Sequence, residues 1–199
     1  MKKILLLAAA MFILGCGAKT NIEKVNYSKN FSPSLMSKVA VLDFGVSKDV
    51  RYDSSGIADR FTAELVGSEL FTVVDRKDVD KVMREMGYQI KNAEIGTLDD
   101  KTIQKLRQIG ADTLLTGKLI SFKQDFKGRS RVYSEAHLTA KLIRIETGEV
   151  VWSAEMLKSS KPDKIRKEAA HPEELLSDMI RTMCVPLKTE NKFRRIIKM

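Results

Sequence analysis

The strongest constraint on the fold is a change of hydrophobic period at Thr113. Before it, short apolar runs alternate with helical stretches. Lys38–Phe44 (KVAVLDF) is a nearly continuous apolar run, with Asp43 near its end. Leu70–Val74 (LFTVV) is a second such run and leads into Asp75-Arg76. Both have the pattern of short buried strands. Between them Ile57, Phe61, Leu65 and Ser68 recur at three- and four-residue spacing, with Ser54 or Ser55 as a cap, which predicts an amphipathic helix. Val79, Val82, Met83 and Met86 share one face of a second helix, stopped by Gly87. Asp99 caps a third, with Ile103, Leu106 and Ile109 inward and Gly110 at its end.

After the change, Thr113–Phe126 reads as a long strand, Lys127-Gly128-Arg129 as a hairpin turn, and Val132–Ile145 as a partly alternating strand. Glu146-Thr147-Gly148-Glu149 is a turn, and Val150–Met156 a third antiparallel strand. Pro172 opens a final helix striped by Leu175, Leu176, Met179, Ile180 and Met183, and Pro186 is expected to end it. The order is β-α-β-α-α-β-β-β-α. Strands joined by helical crossovers are parallel or separated, and strands joined by hairpins are antiparallel. The expected fold class is therefore α/β with α+β character: a single mixed β-sheet of about five strands with helices packed on it.

A chain of 199 residues fits one domain and buries a core without disulfides or metals. Two cysteines exclude a disulfide framework and a Cys-rich zinc site, and two histidines leave little for a His-based metal centre. The net charge of +9 points to anionic partners, either nucleic acid or an acidic surface.

The N-terminus narrows that choice. Lys2 and Lys3 precede the apolar run Ile4–Leu14, too short to span a bilayer well, and Gly15-Cys16 follows. Ile13-Leu14-Gly15-Cys16 resembles the lipobox of bacterial lipoproteins. The resemblance implies that residues 1–15 are a cleaved signal peptide and that Cys16 carries diacylglycerol and a further acyl chain, a stable anchor. Gly17, where retained lipoproteins tend to have Asp, favours the outer membrane, with the protein facing the periplasm of a Gram-negative bacterium. Removing Lys2 and Lys3 lowers +9 to +7, and a periplasmic location makes nucleic acid an unsuitable partner. Residues 16–37 are then a polar tether, 38–186 the folded domain, and 187–199 a basic tail. In that tail Lys192, Arg194, Arg195 and Lys198 interleave with Phe193, Ile196 and Ile197, a composition suited to contact with a membrane or a partner.

Five segments carry a wider resemblance: VAVLDF (39–44), GIADRFTAEL (56–65), FTVVDRKDVDKVMREMG (71–87), IGADTLLTGKL (109–119) and RIETGEVVWS (144–153). Together with the lipobox they resemble the CsgG family of envelope lipoproteins, and are also similar to the LpoB-type activators of penicillin-binding proteins. The resemblance implies a compact periplasmic domain, non-enzymatic, acting by protein binding in curli-type envelope assembly or secretion. Two alternatives within it are an oligomeric outer-membrane secretion channel and an activator of peptidoglycan synthases. A channel subunit of this kind inserts hairpins of about ten-residue alternating strands. Met86–Asp99 is too short and polar for them, and Leu157–Leu176 too charged.

Signals of catalysis are weak. Gly117-Lys118 lacks the P-loop spacing, since Asp112 and Leu119 hold the positions that need Gly and Ser or Thr. No catalytic residue, cofactor, metal site or small-molecule substrate is expected. His137 and His171 read as structural, Cys184 and Trp152 as core residues. Asp43 and Asp75 end strands, on the edge where open α/β sheets hold ligands, and equally suit caps and loop hydrogen bonds. Arg76 suits a clamp on Asp75 or Glu85, or a partner contact.

Overall fold

The long strands after Thr113 form the frame of the structure, a computed structural model that describes residues 22–29, 31–32, 37–53, 55–87, 100–165 and 167–197. β5 (Thr113–Lys127) and β6 (Ser130–Arg144) pair antiparallel from end to end, and β7 (Val150–Ser160) pairs antiparallel with β6. The β5–β6 turn places Gly128 at φ 64°, in the left-handed region that side-chain-bearing residues resist. β2 (Lys38–Val41) lies parallel to β5, β4 (Thr72–Val73) parallel to β2, and the short β3 (Gly45–Val46) parallel to β5. β1 (Ile22–Tyr27) pairs antiparallel with β7. Among the described residues the sheet has seven strands, in the order β1-β7-β6-β5-β2-β4 with β3 beside β5.

Helices cover both faces, and connection handedness explains why. From β2 to β4 the chain steps one way across the sheet through α1 (Ser55–Val66). From β4 to β5 it steps back past β2 through α2 (Arg76–Glu85) and α3 (Asp100–Gln108). Two crossovers of the same hand but opposite direction must lie on opposite faces. On one face Ile57, Phe61 and Leu65 of α1 pack with Leu176, Met179, Ile180 and Met183 of α4 (Pro172–Ile197) against Leu115, Leu138, Leu142 and Trp152. Phe44 stacks on Phe61 there, ring centroids 4.9 Å apart. On the other face Val79, Val82 and Met83 of α2 and Leu106 of α3 cover Ala40, Leu42, Leu114 and Ile143.

The expected class is what the structure shows: a mixed open sheet with helices packed on it. Three boundaries differ. First, the sheet has seven strands rather than about five, because β1 and β3 join it. Second, the stretch read as a structureless tether, 16–37, contains β1. An edge strand is paired on one side only, so Glu23, Lys24 and Asn26 stay exposed while Val25 packs on the core. That leaves too few apolar positions for a visible period. Third, Pro186 lies inside α4 instead of ending it, and helix continues to Ile197 through most of the stretch read as a separate tail. A helix-interior proline costs about 3 kcal/mol. Contacts just beyond it offset that cost: Leu187 is buried and Lys188 pairs with Glu64 of α1. Among the described residues no helix is long and apolar enough to cross a membrane.

Candidate functional site

The carboxyl ends of the parallel strands meet the starts of two helices. Asp43 follows β2, and Asp75 follows β4 as the N-cap of α2, accepting a hydrogen bond from the Lys77 amide at 2.8 Å. Arg76, the first residue of α2, extends its guanidinium along the sheet edge. Its Nη2 donates to Asp43, and its Nη1 to Asp59 of α1 at 2.5 Å. The expected clamp is there, but with Asp43 and Asp59 as partners in place of Asp75 or Glu85. The planar fork suits two acceptors on different elements. Since α1 and α2 lie on opposite faces, this one side chain ties both faces together at the strand ends.

Asp80, one turn into α2, completes the group. Its Oδ1 is buried without a hydrogen-bond partner among the described residues. Burial raises its pKa above the ordinary carboxyl value, and the nearby Asp43 carboxylate adds to the rise. The edge thus holds three carboxylates around one guanidinium, and among the described residues no group of His, Cys, Asp and Glu is arranged to hold a metal. With Asp75 serving as a cap and Asp43 engaged by Arg76, the two strand-end candidates act in the framework of the fold.

A second surface is the half of the sheet that α2 and α3 leave uncovered. His137 Nε2 lies 2.9 Å from Glu155 Oε1 across β6 and β7. Glu135 accepts from the Tyr133 hydroxyl at 2.5 Å and lies 3.9 Å from Lys123 Nζ. That hydrogen bond from the neutral phenol, aided by burial, raises the pKa of Tyr133. His137–Glu155 and Lys123–Glu135 are cross-strand pairs and Tyr133–Glu135 lies along β6, on a polar, strand-borne surface. No described helix packs on them.

The remaining candidates are dispersed. Cys16 and Lys198 lie outside the described residues. Lys192, Arg194 and Arg195 fall in the last turns of α4, where the described backbone is helical and the side chains lie outside the description. Cys184 is fully buried, and burial, helped by Glu64, pushes its thiol up to about 12, which suits a core residue and not a nucleophile. Trp152 is likewise core, at 1% exposure. His171 accepts at its carbonyl from the Leu175 amide as α4 begins. One cationic surface, at the β5–β6 hairpin end, escaped the sequence reading, although the Lys127-Gly128-Arg129 turn was its signal.

A family model described as the peptidoglycan-synthase activator LpoB matches residues 50–156, from the loop before α1 into β7. Among solved structures, the PelC dodecamer from Paraburkholderia phytofirmans is similar with a TM-score of 0.57 at 14% identity, covering 84% of this chain and 97% of that one. Lipoprotein GNA1162 from Neisseria meningitidis is similar with a TM-score of 0.51 at 16% identity, covering 77% and 99% respectively. The LpoB C-terminal domain from Escherichia coli has a TM-score of 0.45 at 16% identity, covering 61% and 82%. A search of curated proteins finds no sequence match. At these identities the PelC and GNA1162 likenesses establish a shared fold and nothing finer. The family match supports the LpoB side of the sequence resemblance, and none of these matches carries its curli-type CsgG side.

Proposed function

The chain belongs to the peptidoglycan-synthase activator LpoB family, matched over residues 50–156, and from this we propose that it is an envelope lipoprotein that stimulates a peptidoglycan synthase by binding it. Lipidated Cys16 anchors it to the outer membrane, with the domain in the periplasm. The family match carries the reading. It spans α1, α2, α3, β5, β6 and most of β7, and so part of each core and the polar half-face. The protein acts by contact and not by catalysis. The half-face around His137, Glu155, Glu135 and Lys123 is the proposed contact surface, with the basic residues Lys192, Arg194, Arg195 and Lys198 as a further partner contact. Its cross-strand pairs hold charges in place before binding, which lowers the ordering cost of association and favours a charge-matched partner.

The test is a glycan-polymerisation assay with a class of synthase that carries penicillin-binding activity, paired with pull-down. Retention of the synthase and a faster polymerisation rate are the expected results. A chain that neither retains it nor alters the rate refutes the reading. Palmitate labelling checks the anchor: wild type takes up label and Cys16→Ala does not. PelC forms a dodecamer, and self-association of this chain is included in the proposal. Light scattering in detergent measures it.

A further inference from the structure

The β5–β6 hairpin outruns the rest of the sheet. β7 ends at Ser160 opposite Ser134, so residues 125–133 project beyond the three-stranded region. On this projection Phe126 is 55% exposed, with the Arg131 guanidinium 5.6 Å from its ring centroid. The segment after β7 folds back beside it. The Ala169 amide donates to the Arg131 carbonyl at 2.9 Å, the Ser134 hydroxyl to the Ala170 carbonyl at 2.8 Å, and Lys161 Nζ lies 5.6 Å from the Tyr133 ring centroid. That segment carries Ile165, 95% exposed. The tip carries Lys127, Arg129 and Arg131 and the returning segment Lys161, Lys164 and Lys167, a cationic surplus over the acidic residues of the same stretches. Exposed apolar residues set among long cationic side chains are the composition of a contact with anionic headgroups.

The path of the chain supports the same occupant. β1 begins at Ile22, in register with Leu157 and through it with His137, and runs away from the hairpin tip. The amino end of β1 therefore faces the hairpin side of the sheet. The interval from Cys16 to Ile22 reaches at most about 20 Å. From the His137 row to Ser130 the hairpin extends about 24 Å. A lipid on Cys16 would keep Ile22 within about 20 Å of the membrane, near enough for the tip to touch it. The basic end of α4 is placed oppositely. α4 starts beside the hairpin, where Ala170 meets Ser134, and by Lys188 has reached Glu64 in the last turn of α1. Its end lies toward the start of β2, away from the hairpin tip.

We propose that the β5–β6 tip and the returning residues 161–165 and 167–168 rest on the anionic headgroups of the membrane that holds the lipid anchor, with Phe126 and Ile165 entering the interface. The domain then stands on its hairpin, and α4 points its basic end away from the membrane. This proposal rests on the reading of Cys16 as the anchored residue.

The test uses the full chain in vesicles of phosphatidylethanolamine with phosphatidylglycerol. Tryptophan is placed at the tip (Phe126→Trp) or at the end of α4 (Phe193→Trp), and quenching by brominated acyl chains is measured, with wild-type Trp152 as background. Expected is severalfold stronger quenching of Phe126→Trp, reduced by salt and in phosphatidylcholine vesicles. Equal quenching, or stronger quenching of Phe193→Trp, overturns the proposal. The mass of the Cys16 peptide from the same preparation shows separately whether the anchor reading holds. If Cys16 is unmodified, the anchor reading fails, while strong tip quenching still supports the contact and its absence overturns it. Lys127→Glu with Arg129→Glu is expected to abolish the quenching and leave synthase stimulation in detergent intact. Lost stimulation with unchanged quenching assigns the tip to the protein partner and overturns the proposal.

Discussion

Replacing Gly117 by alanine should destabilise the domain, against the usual direction for a glycine inside a strand. Removing a strand glycine ordinarily stabilises by about 0.4–1 kcal/mol, because the unfolded chain loses freedom. Gly117 lies in β5 in register with Ala140. Its φ lies outside the left-handed region, so the backbone itself accepts alanine. Space does not. A Cβ here would come within 3.0 Å of the Thr139 carbonyl oxygen and of two Phe44 ring carbons. Thr139 is backbone of β6, held on both sides by β5 and β7. Phe44 is 1% exposed and stacked on Phe61. Neither neighbour has room to move without disturbing the core or the ladder. Overpacking of a core costs about 1–3 kcal/mol, which outweighs the backbone gain. The net cost is about 1–2 kcal/mol, and for a chain of this size each kcal/mol is worth about 2–4 °C, so Tm should fall by roughly 2–8 °C. Gly45→Ala is the control, because its nearest neighbours lie at 3.7 and 3.8 Å, ordinary contact distances. Thermal and urea unfolding followed by circular dichroism read both. If Gly117→Ala melts at or above wild type, or Gly45→Ala falls as far, the steric argument is wrong.

The other predictions concern charges and the thiol. Arg76→Ala should cost about 1–2 kcal/mol in urea unfolding, since it strands Asp43 and Asp59, both partly screened by solvent. Arg76→Lys should recover less than half of that, because one ammonium does not fork between two elements; full recovery would refute the clamp. Burial, followed by Asp43, raises the folded-state pKa of Asp80 above its ordinary 3.8. Its contribution to stability is then fully present below pH 3.8 and is lost as pH rises through the folded-state value. Asp80→Asn should therefore be more stable than wild type near neutral pH, with the advantage vanishing in acid. Equal stability near neutrality would count against a costly buried carboxylate. Cys184, with its thiol pushed up to about 12, should resist aromatic disulfide reagents in the native protein and react on unfolding. Rapid native labelling would contradict its burial.

Several parts of this arrangement were visible in the chain itself. The three- and four-residue spacing of Ile57, Phe61 and Leu65 located α1, and that of Leu176, Met179, Ile180 and Met183 located α4. The Lys127-Gly128-Arg129 and Glu146-Thr147-Gly148-Glu149 turns located the hairpins. Other parts had no local signal. β1 is an edge strand whose polar side chains mimic a linker, and only the register with Trp152–Leu157 of β7 reveals it. Pro186 carries a local stop signal that Leu187 and Lys188 override through contacts elsewhere. For Arg76 the neighbouring Asp75 and Glu85 were the visible acids. Its actual partners, Asp43 and Asp59, are brought to it by the β2-α1-β4 crossover.

The sequence by itself therefore determined most of the elements, their order and the mixed sheet, because helical spacing, strand alternation and turn chemistry act over a few residues. The tertiary structure alone decided which surfaces exist. Crossover handedness put α1 and α2 on opposite faces and made Arg76 their tie. Strand register pointed the amino end of β1 toward the hairpin tip, and packing on α1 carried the far end of α4 away from it. These relations join residues far apart along the chain, and only packing the whole sheet brings them together.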